Sequence, residues 1–225
     1  DKTSGLPRGI IVPKKHGTII EDSWKVVGLA GSGSKDVEFK DVFIPNKHLR
    51  PAPKGPEWGG KAASVQNPAT YRLNQLTTKP FTLASVSVGI AGGVLQAFTS
   101  EMKERHSRFG DSLADLQSMH LRIAESAAEY DAARSIILKD IQETIEILRD
   151  EEDIPETMHH RNRRDMAYTP RLAQASVDRL FYAAGAGGLS LDNNLQRQFR
   201  DVCAARVQFA LNWDINATVY GRALL

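Results

Sequence analysis

Gly28-Leu-Ala-Gly31-Ser-Gly33-Ser34 has the composition of a loop that can cradle phosphate with backbone N–H groups. A dinucleotide or phosphate-loop fingerprint needs a strand before the glycines and a helix after them. Here strand-like sequence stands on both sides, which excludes those two readings and leaves a glycine-rich β-turn as the plain alternative. Trp24, four residues upstream, is either core or a flat surface for a planar cofactor beside a polar turn. A second cluster, Arg105-His-Ser-Arg108-Phe109-Gly110, puts two guanidinium groups at a helix break, where they can hold a phosphate bidentately or simply be solvated. The third cluster runs from Gly185-Ala-Gly187-Gly188 through Asp192-Asn-Asn to Arg197, Arg200 and Asp201. Glycines closing one helix and Asp or Asn opening the next make an ordinary interhelix turn, and Arg200-Asp201 is compatible with an internal ion pair. His159-His160 has no partners at metal-ligand spacing, so no metal site is expected, and no nucleophile–base signature of a hydrolase is present.

The elements that would position these clusters fall into two halves. Residues 8–50 read as β. Ile10-Ile-Val12, Thr18-Ile-Ile20 and Trp24–Val27 form apolar runs, and Val37, Phe39 and Phe43 alternate with charged residues, which predicts one buried and one wet face. The prolines and glycines of residues 51–66 have linker composition. After Pro80 the pattern turns helical. Phe81–Glu104 is apolar around much of its circumference, and Ser112 with Asp115 resembles a capping box opening a long helix to about Arg149. A loop is expected over residues 150–163, then helices from about Arg164 to Ala184 and from about Leu195 to Leu225. Four long antiparallel helices with short connections make an up-down four-helix bundle. The expected domains are 1–66, the end of a β-domain plus linker, and 67–225, the bundle: an α+β chain.

Composition narrows the function classes. Among 225 residues, 41% are hydrophobic and 25% charged, which is ordinary for a globular protein. A net charge of +2 is too small to argue for nucleic acid or an anionic membrane, and neither is expected as a partner. The single cysteine, Cys203, excludes an internal disulfide and fits a reducing, cytoplasmic compartment. No apolar run is expected to span a bilayer, because Thr82, Ser85, Ser87 and three glycines interrupt the richest stretch. The chain opens at Asp1 and enters strand-like sequence by Gly9, which leads to the expectation of a fragment or processed chain.

The order of these segments is more specific than any one of them. Trp24, Gly28, Ser32-Gly33-Ser34 and Val37 lead into Asp41-Val-Phe-Ile-Pro45, then the helices, then Arg197, Arg200-Asp201, Asn212-Trp-Asp214 and Tyr220-Gly-Arg222. Over essentially the whole chain this resembles the acyl-CoA dehydrogenase superfamily. Within it the pattern is most similar to two-component, reduced-flavin-dependent monooxygenases that hydroxylate aromatic and related substrates. The resemblance implies the end of a β-barrel-like middle domain followed by the helical bundle. It also implies a homotetramer, reduced FMN or FAD supplied by a separate flavin reductase, and O2 and a small-molecule substrate as reactants. Trp24, Ser32 and Ser34 would face the isoalloxazine or the substrate. Arg105, Arg108 and Phe109 would reach the flavin phosphate of an adjacent protomer, with Gly185 and Gly188 near the flavin.

Two positions depart from the pattern. Some dehydrogenases carry a catalytic glutamate five residues before the arginine matching Arg197. Here Asp192 stands there, a methylene shorter and suited to N-cap the final helix, which turns the reading away from α-proton abstraction. Hydroxylases usually carry a histidine eight residues after the arginine matching Arg200. Here it is Gln208, and Cys203 replaces another frequent histidine. Glutamine can donate a hydrogen bond but cannot take a proton from a phenol. Gln208 and Ser34 are the candidate catalytic residues. An acyl-CoA dehydrogenase and a catalytically altered flavin-binding homologue stay open as alternatives.

Overall fold

The computed structural model describes residues 9–49, 75–150 and 154–225, with side chains described from Phe81 onward in the helix that begins at Gln75. The chain divides into two compact units, residues 1–58 and 59–225. The linker expected at 51–66, and the domain boundary placed within it, lie outside the described residues.

In the first unit, regular strand is short. β1 (Thr18–Ile19) pairs antiparallel with β2 (Val37–Glu38), Thr18 opposite Glu38 and Ile19 opposite Val37. An isolated bridge joins Ile10 to Leu49. The longer strands expected over 10–12 and 24–27 do not form as regular strand. Single helical turns at Lys14–His16, Glu21–Ser23 and Ala30–Ser32 interrupt the chain, and Leu29 and Asp41 adopt left-handed conformation, which breaks an extended ladder. The expected buried face is also corrected: Val37, Phe39 and Phe43 are exposed. Among the described residues the two-residue ladder has no second layer over it. Gly17 tucks under Phe39, where a methyl group would fall 2.7 Å from the ring.

The second unit holds five α-helices among the described residues. They are α1 (Gln75–Glu104), α2 (Gln117–Arg149), α3 (Glu156–Ala183), α4 (Asn194–Arg206) and α5 (Trp213–Ala223). Helix α3 is the central element and packs on each of the other four. On α1, residues Phe81, Ala84, Val88, Ala91, Val94, Phe98 and Met102 recur at intervals of three and four and are all buried. The outer half of that stripe meets Ala173, Val177 and Leu180 of α3 and Leu195 and Val202 of α4. The other half meets Ala133 and Ile137 of α2 and Met166 of α3. By length and composition alone, Phe81–Glu104 is long and apolar enough to cross a membrane, contrary to the reading of that stretch as too interrupted. Its buried stripe is that of a helix packed within a bundle.

Three helix boundaries differ from expectation. Ser112 makes no capping bond and precedes a single turn, Leu113–Asp115, so α2 starts only at Gln117. Helix α3 starts at Glu156, eight residues early, because Pro155 sits at the N-cap with fixed φ and the polar residues after it are helical. The expected final helix is two helices. Gln208 and Asn212 each turn a side-chain oxygen onto a backbone N–H, which closes the turn Phe209–Leu211 between α4 and α5.

Candidate functional site

In the first unit, Ser23 ties the tryptophan segment down. Its Oγ donates to the Ile20 carbonyl at 2.6 Å and accepts from the Asp36 N–H at 2.7 Å. Trp24 follows, half-buried, with its indole Nε1 enclosed and without a hydrogen-bond partner among the described residues. Leu29 (φ 52°) and Gly33 (φ 57°) bracket the turn Ala30–Ser32. The Ser32 and Ser34 hydroxyls lie 3.5 Å apart on its exposed side. Lys35 pairs with Glu21, and this hydrogen bond holds the Glu21 carboxyl below the usual carboxylate range. The segment therefore carries two adjacent hydroxyls on a fixed turn, with the indole of Trp24 eight residues upstream of Ser32 in the sequence.

In the second unit, the α1–α2 connection is built by its own short bonds. Ser107 Oγ accepts from the Phe109 and Asp111 N–H groups, each at 3.1 Å, and its own N–H donates to the Asp111 carbonyl at 2.7 Å. Gly110 (φ 94°) completes the reversal. The loop projects Arg108 and Phe109 outward, Phe109 being 90% exposed. Arg105 behaves differently. Its Nη1 donates to Glu101 Oε1 at 3.1 Å, and its Nη2 rests against Gly187, where a methyl group would stand 2.9 Å away. The Arg105 segment and the Gly185–Gly188 turn, distant in sequence, are thus in contact.

That turn is held from both sides. Gly185 takes a positive φ of 63°, and Gly188 is buried against Ala184 and Leu195. Asn193 caps α4, its Oδ1 accepting from the Leu195 N–H at 2.9 Å and its Nδ2 donating to the Gly187 carbonyl at 3.3 Å. Asp192 is therefore not the N-cap; the helix begins one residue later than that assignment requires, and the amide of Asn193 does the capping. Gln208 lies beyond the other end of α4, about 20 Å away along a helix of 13 residues. Its Oε1 is committed to the Ala210 N–H at 2.6 Å, which leaves the amide Nε2 without a hydrogen-bond partner among the described residues on an exposed side chain.

Two polar clusters were missed in the sequence. Asp140 is 2% exposed, 3.3 Å from Arg161, and faces Asp165, which Arg164 holds at 2.6 Å. Burial and the neighbouring Asp165 carboxyl push the Asp140 carboxyl up to about 7. Asp140 Oδ2, Arg161 Nε and Asn162 Oδ1 have no partner among the described residues. Polar residues inside otherwise apolar 3–4 stripes were the available signal. The second cluster surrounds Cys203, which lines an open cavity of about 510 Å3 with Arg171, Gln174, Arg206 and Trp213. Burial and the nearby Asp178 push its thiol up. No group of acidic, histidine or cysteine side chains suited to a metal ion occurs among the described residues.

A helical unit built around one central helix, with a cationic loop seated on a glycine turn, defines the class: the helical domain of the acyl-CoA dehydrogenase fold. The chain belongs to the family of acyl-CoA dehydrogenase C-terminal domains, whose model matches residues 81–213. It is similar to the oxygenase component of the FADH(2)-dependent resorcinol hydroxylase of Rhizobium sp. (strain MTP-10005), at 32% identity over 232 residues, covering 98% of this chain and 56% of that protein. It is also similar to HsaA, the oxygenase subunit of a flavin-dependent monooxygenase of Mycobacterium tuberculosis, at 33% identity over 205 residues, covering 90% and 52%. The crystal structure of the M. tuberculosis HsaA monooxygenase superposes with a TM-score of 0.86 at 29% identity, covering 98% of this chain and 57% of that one. The chain spans about half the length of the curated relatives it matches.

Proposed function

We propose that this chain is the C-terminal portion of the oxygenase component of a two-component, reduced-flavin-dependent monooxygenase acting on an aromatic or secondary-metabolite substrate. The observation that carries the reading is similarity over 98% of the chain to a resorcinol hydroxylase oxygenase component. Asp192, in place of a longer catalytic carboxylate, supports it against the dehydrogenase alternative. On this reading residues 1–66 end a β-barrel-like domain, residues 67–225 form the bundle, and the protein works as a cytoplasmic homotetramer served by a flavin reductase.

Each unit taken by itself holds residues whose chemistry fits part of reduced FMN or FAD. Trp24 offers a ring and an enclosed N–H that has no partner among the described residues, and Ser32 and Ser34 offer adjacent hydroxyls. Arg105 and Arg108 offer charge for phosphate, and the Gly185–Gly188 turn offers close backbone approach. When bound, the reduced flavin would supply the two electrons that split O2, one oxygen atom entering the substrate and the other leaving as water. The chain's own part is to orient and to exclude water. On this reading Gln208, its carbonyl already engaged by Ala210, would offer reactive oxygen an N–H donor and no base. Substrates that need their phenol deprotonated by the enzyme are therefore poor candidates.

The test uses the full-length protein with chemically reduced FMN or FAD, 18O2 and a panel of phenols and aromatic acids. One 18O atom in the product supports the reading. Tightly copurifying oxidised flavin that acyl-CoA reduces would replace it with dehydrogenation. Flavin binding without product from any substrate would favour the altered homologue, which the replacement of histidine by Gln208 also fits.

A further inference from the structure

We propose that Gly187 is a positioning residue for Arg105: its missing side chain gives the guanidinium a seat, so that loop and turn meet the flavin phosphate as one piece. The inference rests on the assignment of flavin phosphate to Arg105 above. Gly187 does not need glycine for its backbone, since among the glycines of this turn only Gly185 takes a positive φ. It is exposed, so glycine is not required by core packing either. Among the described residues, the three heavy atoms that a methyl group there would meet first all belong to Arg105: Nη2 at 2.9 Å, Cζ at 3.7 Å and Nη1 at 3.9 Å. Gly188 next door contrasts with it, being buried against Ala184 and Leu195 as a packing glycine.

Both partners are held from behind. Glu101 fixes the guanidinium from its own helix at 3.1 Å, one turn earlier. Asn193 fixes Gly187 through its carbonyl at 3.3 Å while capping α4 with the other end of the same amide. The chain Glu101–Arg105–Gly187–Asn193–α4 therefore sets where the Arg105 charge points. A planar guanidinium gains geometric specificity for phosphate only when its plane is held. The contacting atoms on the arginine side are the far end of a flexible side chain, so a methyl group at 187 displaces the guanidinium without disturbing the fold.

The experiment is a double-mutant cycle on the full-length protein, reading anaerobic binding of reduced FMN and reduced FAD. Arg105→Ala, Gly187→Ala and the double variant are compared, with thermal melting as the folding control. Expected are a loss of about tenfold for Arg105→Ala, several-fold for Gly187→Ala, and no further loss when Gly187→Ala is added to Arg105→Ala. Independent, multiplying losses would overturn the proposal, because Gly187 would then act on the ligand directly. Full affinity in Gly187→Ala with weakened Arg105→Ala also overturns it, while leaving the flavin reading intact. Full affinity in Arg105→Ala removes the phosphate assignment itself. Asn193→Ser supplies an independent arm, keeping the helix cap without adding charge and losing the amide donor to Gly187. It should weaken binding in the parent and leave Arg105→Ala unchanged; an equal effect in both backgrounds contradicts the proposal.

Discussion

Ser126 and Ser176 exchange hydrogen bonds across the contact of α2 with α3. Ser126 Oγ donates to the Ser176 carbonyl at 3.2 Å, and Ser176 Oγ donates to the Ser126 carbonyl at 3.0 Å. Both residues are fully buried, and Arg179 closes the seam by donating to Ser126 Oγ at 3.2 Å and to Glu129 Oε1 at 2.9 Å. Small hydroxylic side chains let two helix backbones approach and satisfy their own polar groups on carbonyls across the seam. Ser176→Ala should lower unfolding free energy by about 1 kcal/mol, the net value of one buried hydrogen bond. Ser176→Leu should lower it by about 1–3 kcal/mol through overpacking. Urea titration of the full chain reads both; a leucine variant as stable as the alanine variant would refute a close seam.

Asp140 makes stability depend on pH in an unusual direction. Its carboxyl is raised from 3.8 in the unfolded chain to about 7 in the folded one, through burial first and then the Asp165 carboxylate. Between those values the folded state binds more protons, so stability falls as pH rises from about 4 to 7. Above that range the change is complete. The groups facing it are Glu143 on its own helix and Arg161 and Asp165 on α3, with Arg164 holding Asp165. Asp140→Asn should remove most of that slope and stabilise the protein at pH 8 relative to the parent. Denaturation midpoints at pH 5, 6, 7 and 8 decide it, and a parent whose stability is flat or rising across the series contradicts the reading.

Much of this architecture was legible in the sequence, for a physical reason that also explains what was not. Helix α1 writes its burial directly as apolar residues every three or four positions, so its existence and face could be read. The first turns of α3 are Glu156, Thr157, His159, His160 and Arg161, whose polarity looked like a loop. They are helical because Pro155 sets the start and Met158 and Asn162 are buried. The break at Gln208 had no glycine or proline to mark it; side-chain caps made it. Arg105 and the Gly185–Gly188 turn were each legible as candidates, but their contact exists only once α1, α3 and α4 have packed.

Gln208 sets the chemistry available at its position. Its amide cannot accept a proton, so Gln208→His should add a group that titrates near 6.5 and can act as a base. With a phenolic substrate and reduced flavin, hydroxylation by the histidine variant should rise several-fold and follow a sigmoid in pH that the parent lacks. The cap on Ala210 is lost in the exchange, and a small drop in melting temperature should accompany it. Equal rates and equal pH profiles for parent and variant would show that this position does not reach the substrate.

Cys203 tests the electrostatics of the cavity beside it. Its thiol is half-buried, and burial and the Asp178 carboxylate both disfavour the thiolate, with Arg206 opposing them more weakly. Since the thiolate is the nucleophile, alkylation by iodoacetamide at pH 7.5 should run several-fold slower than for a small free thiol. Asp178→Asn removes the carboxylate and should speed the reaction about two- to five-fold, with the pH–rate curve moving to lower pH. If the variant reacts at the parent's rate across the pH series, the Asp178 charge does not act on the sulfur. If the parent reacts as fast as the free thiol, burial does not act on it either.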